Sequence, residues 1–400
     1  MATPDMPARA DAVVVGGGVY GASTAFHLAR RGVRVVLLEQ DHVGGGATGH
    51  SGAIIRQVYE SRVGVRLARK SLLFFHRFGE ETGASCDFRT TGFLSGARAG
   101  DLAAFDRLLG LLASEGVRAE RLTPNEAVAL EPNLDAADYE AVVHDPNAGY
   151  ADPIATAGGF ASGARISGAA VLEGAAVRGI AVRKGRVTGV RVRGGRTIET
   201  ERVIVAAGNW TPDLLRPLRV AVPIRFVRGN VILLRRPPGF GAAPRIHFDF
   251  YHGTYSRPEE EKDVLVGSMH TDPRKGLKRH ALADDSVPTA IVRDLWRRLA
   301  RRFPAMARAQ PRGGWGGVYD VTPDSYPIVD RVGPDGLFVA VGFSGHGFKL
   351  SPEVGRLLAE YVATARRPEE LEALRAARFR ERNAVRPEAP FPERRGPRLP

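Results

Sequence analysis

The chain opens with a hydrophobic pattern that changes period twice within 40 residues. Four apolar residues at 12–15 precede three glycines, and small apolar residues then recur at helical spacing before Gly32. A second apolar run ends at Glu39. This order predicts a strand over residues 11–15, a tight loop over 16–21, a helix over 19–31 and a strand over 34–38, which form a βαβ unit.

The rest of the chain alternates between the two periods. Helical spacing predicts helices over residues 60–82, 101–115 and 287–303, and Asp152 followed by Pro153 predicts an N-cap. Period-two alternation over residues 170–205, with turn pairs at 184–185 and 194–195, predicts a β-meander that leads into a buried strand. Further strands are expected within 220–270 and over 337–341, and a helix from Ser351 to about residue 364.

The dinucleotide-type elements lie at both ends and in the middle of the chain. We therefore expect one discontinuous domain made of residues 1–85, 150–220 and 315–365. A second domain would comprise residues 86–149 and 221–314. Residues 366–400 form a basic tail rich in proline and arginine, and we expect residues 376–400 to be solvated.

Composition limits the class of protein. Hydrophobic residues make up 44% and charged residues 25% of the chain, which excludes a disordered, collagenous or coiled-coil protein. The one cysteine, Cys86, excludes an intrachain disulfide and favours a cytoplasmic location. The histidines show no metal-ligand spacing, so no metal is predicted. No apolar run reaches about 18 residues, so no transmembrane helix is predicted.

The net charge of +13 raises the question of a nucleic-acid partner. Only six of the 57 basic residues are lysines, and the arginines are scattered without interleaved aromatic residues. This distribution favours a genome-wide bias that encodes surface cations as arginine, and a role on nucleic acid stays open as a second interpretation.

The first loop has the spacing G-x-G-x-x-G. Gly16 would allow the tight turn, Gly18 the approach of a pyrophosphate, and Gly21 close packing of helix and strand. Glu39 is placed to bind a ribose hydroxyl. The motif does not separate NAD from FAD, but three later features favour a flavin: the glycine-rich stretch 44–52, the strand that runs into the small-residue turn 206–208, and the glycine loop 342–352 that enters a helix.

Four segments together carry a family resemblance: residues 13–39, 47–59, 318–330 and 342–362. In them the chain resembles the D-amino-acid oxidase superfamily of FAD-dependent amine oxidoreductases, on the branch of the sarcosine oxidase beta-subunit and glycine oxidase. The resemblance implies an α/β fold, in which a Rossmann-type, glutathione-reductase-like FAD domain carries an inserted substrate domain of sheet and helices. It also implies oxidation of the C–N bond of an amino acid or N-methyl amino acid.

The resemblance also implies residue roles. The candidate catalytic or substrate-binding residues are Lys349, Arg56, His270, Tyr255 and Tyr319. The candidate FAD-binding residues are Gly16, Gly18, Val19, Tyr20, Gly21, Glu39, Gln40, Thr48, Gly49, His50, Ser51, Val177, Ala207, Gly208, Trp210, Gly317, Gly342, Ser344, Gly345, His346, Gly347, Phe348 and Lys349. Some relatives join a histidine near the position of His50 covalently to the flavin; we expect non-covalent FAD here.

Two positions depart from the pattern of monomeric sarcosine oxidases. Gly317 replaces a cysteine that is tethered to the flavin. Val266 stands where those enzymes hold a lysine that activates oxygen, so slow reaction with oxygen is expected and the electron acceptor stays open. Three further interpretations also stay open: a flavin monooxygenase, a flavin-carrying subunit of a hetero-oligomer, and a nucleic-acid-directed flavoenzyme.

Overall fold

A computed structural model of the chain describes residues 6–269, 277 and 285–392. The helices of these residues are α1 Val19–Ala29, α2 Arg62–His76, α3 Phe78–Thr82, α4 Leu102–Ser114, α5 Pro124–Leu130, α6 Pro153–Ile166, α7 Thr211–Leu215, α8 Thr289–Arg302 and α9 Ser351–Thr364. The strands are β1 Ala12–Val15, β2 Val35–Leu38, β3 Ile54–Ile55, β4 Arg89–Thr90, β5 Phe93–Ala97, β6 Glu120–Leu122, β7 Ala141–Asp145, β8 Gly149–Tyr150, β9 Ala170–Leu172, β10 Val177–Arg183, β11 Arg186–Val192, β12 Thr197–Glu199, β13 Val203–Val205, β14 Arg225–Arg235, β15 Ile246–Asp249, β16 Thr254–Glu259, β17 Asp263–Ser268, β18 Gln310–Val321, β19 Ile328–Arg331 and β20 Leu337–Val341. Short 3-10 helices connect several of them.

A six-stranded sheet has the order β19-β20-β13-β1-β2-β9, and only β19 runs antiparallel to its neighbour. Its two faces are buried differently. Ala12 and Val14 of β1 face a core that includes α1, α6 and α9. Val13 and Val15 point the other way, toward the meander β10-β11-β12. The continuous apolar run of β1 is therefore the signature of a strand covered on both faces, and the predicted α/β fold is confirmed.

An eight-stranded sheet has the order β18-β14-β17-β16-β15-β5-β7-β6. Its outer face packs on α8, where Val264 and Val266 meet Leu295 and Leu299. The two sheets draw their strands from separate stretches of the chain, but β18 crosses the predicted domain boundary at residue 315. The domain boundaries themselves stay a prediction.

Most elements at the start and end of the chain lie where the sequence places them. The N-cap prediction is confirmed, because the Asp152 carboxylate accepts a hydrogen bond from the Ala155 N–H at 2.6 Å. The predicted helix 60–82 is wrong in one respect: it breaks at Arg77 into α2 and α3. No α-helix among the described residues is long and apolar enough to cross a membrane.

The C-terminal segment, residues 376–392, corrects the prediction of a solvated tail. Arg378 is 1% exposed and Phe391 is 2% exposed. The Phe391 ring packs against Phe105 at 5.4 Å and Phe250 at 6.0 Å between ring centroids. Local composition carries no sign of this docking, because the partners of the segment lie far away in the sequence.

Helices α1 and α9 touch so closely that their contact requires a glycine. A Cβ at Gly355 would lie 2.1 Å from Oγ and 2.7 Å from Cβ of Ser23. The same Ser23 hydroxyl donates to the Ser351 carbonyl at 2.9 Å. This contact fixes the N-termini of both helices relative to each other.

We predict that Gly355→Ala lowers the free energy of unfolding by about 1–3 kcal/mol, because the added methyl group forces the helices apart. The control is Gly158→Ala in α6, where a Cβ would meet no atom of the described residues within 4 Å. That variant should gain up to about 1 kcal/mol from helix propensity. Urea unfolding of the two proteins gives the comparison, and equal stabilities would contradict the close contact.

Candidate active site

The turn between β1 and α1 needs its glycines for different reasons. Gly16 has a φ of +106°, and a Cβ there would lie 2.4 Å from the Ala206 carbonyl oxygen. A Cβ at Gly21 would lie 1.8 Å from the Gly16 oxygen. At Gly18 a Cβ would meet, among the described residues, only the Thr48 hydroxyl, at 3.3 Å. Gly16 and Gly21 therefore serve the packing, while the backbone at Gly18 is open to a ligand.

Glu39 follows β2 and completes this turn. Its carboxylate accepts hydrogen bonds from the Gly17 N–H at 2.6 Å and from the Asp41 N–H at 2.9 Å. The Val19 N–H at the start of α1 donates to the Thr48 hydroxyl at 3.0 Å. These bonds hold the Glu39 side chain, the glycine turn and the 44–52 stretch in fixed positions relative to one another.

A cavity of about 700 Å³ lies between the two sheets. Its lining includes most of the residues proposed from the sequence: Gly16, Gly18, Val19, Tyr20, Glu39, Gln40, Thr48, Ser51, Arg56, Val177, Ala207, Gly208, Trp210, Tyr255, Tyr319, Ser344, Gly345, His346, Gly347, Phe348 and Lys349. The structure thus brings together segments from the beginning, middle and end of the chain, and their individual roles stay predictions.

Five of the proposed residues that the structure describes do not line this cavity. Gly21 and Gly342 shape the backbone behind it. The Gly49 N–H donates to the Gly44 carbonyl at 2.8 Å, within the glycine-rich stretch. His50 lies beside Gly317, where a Cβ would approach the His50 Cβ to 3.0 Å. His270 lies outside the described residues.

The loop from Gly342 to Lys349 is held by a buried carboxyl group. Asp320 accepts from the Gly342 N–H at 2.7 Å, and its own carbonyl accepts from the Ser344 N–H at 2.9 Å. Burial raises the pKa of Asp320 to about 6, although the backbone N–H groups oppose that shift. Tyr20 of α1 supports the loop from the other side, with its ring stacked 3.5 Å from that of Phe343.

Two cations are buried at the end of the cavity. Arg56 is 7% and Lys349 is 6% exposed, and neither forms an ion pair with a described residue. The Arg56 Nε has no hydrogen-bond partner among the described residues. The Lys349 ammonium donates to the His346 carbonyl at 3.3 Å. Burial, and secondarily Arg56, holds the pKa of Lys349 well below its usual range. Such uncompensated charge is costly and points to an anionic ligand.

Tyr59 is a site residue that the sequence analysis missed. The Arg56 guanidinium lies 4.8 Å and the Lys349 ammonium 5.7 Å from the centroid of its ring. Its hydroxyl donates to His346 Nδ1 at 3.1 Å. The position of Tyr59 three residues after Arg56 was the available signal, but only the fold shows that its ring faces both cations.

Tyr255 of β16 and Tyr319 of β18 meet at the cavity, although β14 and β17 lie between their strands in the eight-stranded sheet. The Tyr255 and Tyr319 hydroxyls share a hydrogen bond, and burial raises the pKa of both phenols. A Cβ at Gly267 would overlap the Tyr255 ring at 2.0 Å, so this glycine makes room for the ring. Both tyrosines line the cavity.

Val266 does not face the cavity. It belongs to the α8 side of β17, while Gly267 lies against Tyr255 on the cavity side. The two faces alternate because strand side chains have period two. The expectation of slow reaction with oxygen, which rests on Val266, therefore loses its structural support.

A glycine turn at the end of β1, an acidic residue at the end of β2 and a second sheet that closes the cavity define a dinucleotide-binding protein. A family profile described as DAO, FAD dependent oxidoreductase, matches residues 11–361. The chain belongs to this family and is an FAD-dependent oxidoreductase.

Three relatives illustrate the similarity. The chain is 31% identical to glycine oxidase of Pseudomonas aeruginosa over 362 residues, which cover 88% of this chain and 94% of that one. It is 27% identical to peroxisomal sarcosine oxidase of Homo sapiens over 399 residues, covering 92% and 96%. The crystal structure of L-proline dehydrogenase from P. horikoshii superposes with a TM-score of 0.87 at 27% identity, covering 95% and 100%.

The residues at the cavity fit FAD. Gly18, Gly46 and Gly208 line it without side chains, and a Cβ at Gly46 or Gly208 would meet no atom within 4 Å in the part of the chain that the structure describes. These open backbones lie beside the N-terminus of α1, where the helix dipole favours phosphate. Glu39 would hold the ribose, and the 342–349 loop would lie against the flavin.

Asp320→Asn tests the buried carboxyl group through stability. The folded protein keeps the proton on Asp320 up to about pH 6, whereas an unfolded chain releases it near 3.8. The stability that wild type gains from this group is therefore present at low pH and is lost as pH rises through that window, by up to about 3 kcal/mol.

The difference in unfolding free energy, wild type minus Asp320→Asn, should accordingly fall as pH rises from the unfolded-state pKa of 3.8 to above the folded-state value of about 6. Urea unfolding at several pH values measures it, and Glu140→Gln on an exposed side chain serves as the control. A difference that stays flat or grows with pH would show that Asp320 is ionised in the folded protein.

Proposed function

We propose that the protein oxidises the C–N bond of an amino acid or N-methyl amino acid whose carboxylate binds Arg56 and Lys349. The two buried cations, which have no carboxylate partner among the described residues, carry this proposal. A substrate carboxylate would compensate both charges. Arg56 can offer a planar fork and Lys349 a point charge. The relatives are named as oxidases or dehydrogenases of glycine, sarcosine and proline, which supports the same class of substrate.

The chain's residues would prepare the substrate for oxidation. FAD, when bound, accepts a hydride equivalent from the carbon next to the substrate nitrogen. The amine must be neutral for this, and the positive charge of Arg56 and Lys349 disfavours the ammonium form. Tyr255 and Tyr319 would fill the cavity wall and exclude water. After release the imine product would react with water, which breaks the C=N bond and gives a carbonyl compound together with ammonia from an amino acid or an amine from an N-methyl amino acid.

The proposed electron acceptor is oxygen or another compound, and we assign no residue to its reaction. The cytoplasmic location likewise rests on the single cysteine alone. The geometry favours a small-molecule substrate over nucleic acid, because Arg56 and Lys349 are buried at the cavity.

Anaerobic titration of the yellow holoenzyme with glycine, sarcosine, L-proline and D- and L-amino acids tests the function. At least one should bleach the flavin absorption, whereas the matching amines without a carboxylate should do so far less readily. Lys349→Met should weaken the apparent affinity for the active amino acid by about 1.5–3 kcal/mol, because a charge-assisted contact is lost.

The matched control is Lys184→Met, which changes an exposed lysine in the β10–β11 turn. It should leave both flavin content and affinity unchanged. If no amino acid reduces the flavin, or if Lys349→Met binds the amino acid as tightly as wild type, the proposed substrate site is wrong.

We further propose that FAD is bound without a covalent link at His50. The His50 Nδ1 lies 3.0 Å from the Gly46 carbonyl, so it carries the proton and the ring is oriented by the backbone. Acid precipitation should release the yellow colour into the supernatant. Colour that stays with the pellet in wild type and moves to the supernatant in His50→Ala would establish the covalent link instead.

A further inference from the structure

Arg378 holds a turn that borders the active site. Its Nε and Nη2 donate to the two carboxylate oxygens of Asp324 at 2.8 and 2.9 Å. Nη2 also donates to the Tyr326 carbonyl at 2.6 Å. The Val385 N–H adds a bond to Asp324 at 2.9 Å. The C-terminal segment thus fixes residues 324–326 with a paired, buried arginine.

The middle residue of this turn orients His346. Ser325 has a φ of +66°, a conformation that the surrounding bonds must impose on a non-glycine residue. Its carbonyl lies 2.7 Å from His346 Nε2. A carbonyl only accepts, so the proton is on Nε2, and the neutral ring keeps a lone pair on Nδ1. That lone pair receives the Tyr59 hydroxyl.

This series of contacts, from Arg378 through Asp324, Ser325 and His346 to Tyr59, is called the relay, and it ends at the two buried cations. Tyr59 presents its ring to Arg56 and Lys349, and the His346 carbonyl accepts from Lys349. A change in the turn would therefore move the ring against which both cations lie. Coupling of this kind passes through side chains that have one fixed hydrogen-bonding arrangement.

A second contact of the C-terminal segment supports the same place. The Glu388 and Ala389 N–H groups donate to the Glu60 carbonyl at 2.8 and 3.0 Å. Ser61, the next residue, shares a 2.5 Å hydrogen bond with the Tyr326 hydroxyl. The stretch that follows Tyr59 is thereby held by the C-terminal segment and by the turn together.

We propose that Arg378 is a positioning residue for the carboxylate-binding end of the cavity, acting through Asp324, Ser325, His346 and Tyr59. The proposal rests on the proposed function, because it assumes that Arg56 and Lys349 bind a carboxylate. It assigns the C-terminal segment a part in substrate binding, although none of its described residues lines the cavity.

Arg378→Lys tests this assignment, because it keeps the charge and removes the fork. Benzoate, a carboxylate without an oxidisable amine, is titrated into the holoenzyme and followed by the shift of the flavin spectrum. The variant should retain its flavin but bind benzoate roughly three- to thirty-fold more weakly. Binding of uncharged benzamide should change little, and the control Arg380→Lys, on an exposed neighbour, should match wild type.

Asp324→Asn changes the carboxylate partner of Arg378, and it replaces Arg378→Lys in the test if that variant does not fold. It should likewise weaken the binding of benzoate and leave the binding of benzamide nearly unchanged. Unchanged benzoate affinity in a folded variant of either kind would overturn the proposal, as would an equal loss for benzamide, which indicates general loosening of the cavity.

A double-mutant cycle with Tyr59→Phe identifies the route. Because Tyr59→Phe removes the hydroxyl at the end of the relay, adding Arg378→Lys to it should cost less than Arg378→Lys costs alone. Fully additive effects would overturn the route through His346. Wild type that binds no carboxylate at all would instead refute the proposed function, and the positioning role with it.

Discussion

The carboxyl group of Asp320 joins the two sheets on which the site depends. It lies near the end of β18 in the eight-stranded sheet and accepts the N–H of Gly342, directly after β20 of the six-stranded sheet. A bridge between Val321 and Phe343 follows at once. The 342–349 loop starts from this joint, so the buried acid fixes the point at which the loop enters the cavity, while Tyr20 supports the loop from the other side. Because that acid is desolvated, the joint is maintained only while its hydrogen bonds are satisfied.

The two ends of the cavity carry different kinds of positive charge. One end is built from glycine backbone and the N-terminus of a helix, which suit phosphate, and the other holds two buried cations against aromatic rings. Both ends therefore favour negative groups, one on the cofactor and one on the substrate. His346 lies at the end with the two cations and stays neutral, since burial, and secondarily Lys349, lowers its pKa to about 3. A neutral imidazole can orient Tyr59 without adding a third cation.

The C-terminal segment links stability and function in the same contacts. Arg378 and Phe391 anchor it at two separate points of the body. The buried pair of Arg378 and Asp324 has the hydrogen bonds that a buried ion pair needs to be tolerated. Removal of one partner would leave a buried charge uncompensated beside the active site.

The sequence alone determined the dinucleotide-binding turn, because strand, glycine spacing, helix and Glu39 are adjacent in the chain and follow from local geometry. It also indicated Arg56 and Lys349 through family resemblance. Only the tertiary structure decided that these two cations meet at Tyr59, that Val266 faces α8, and that the C-terminal segment is docked. These facts depend on strand register and on contacts between distant parts of the chain, for which local periodicity carries no signal.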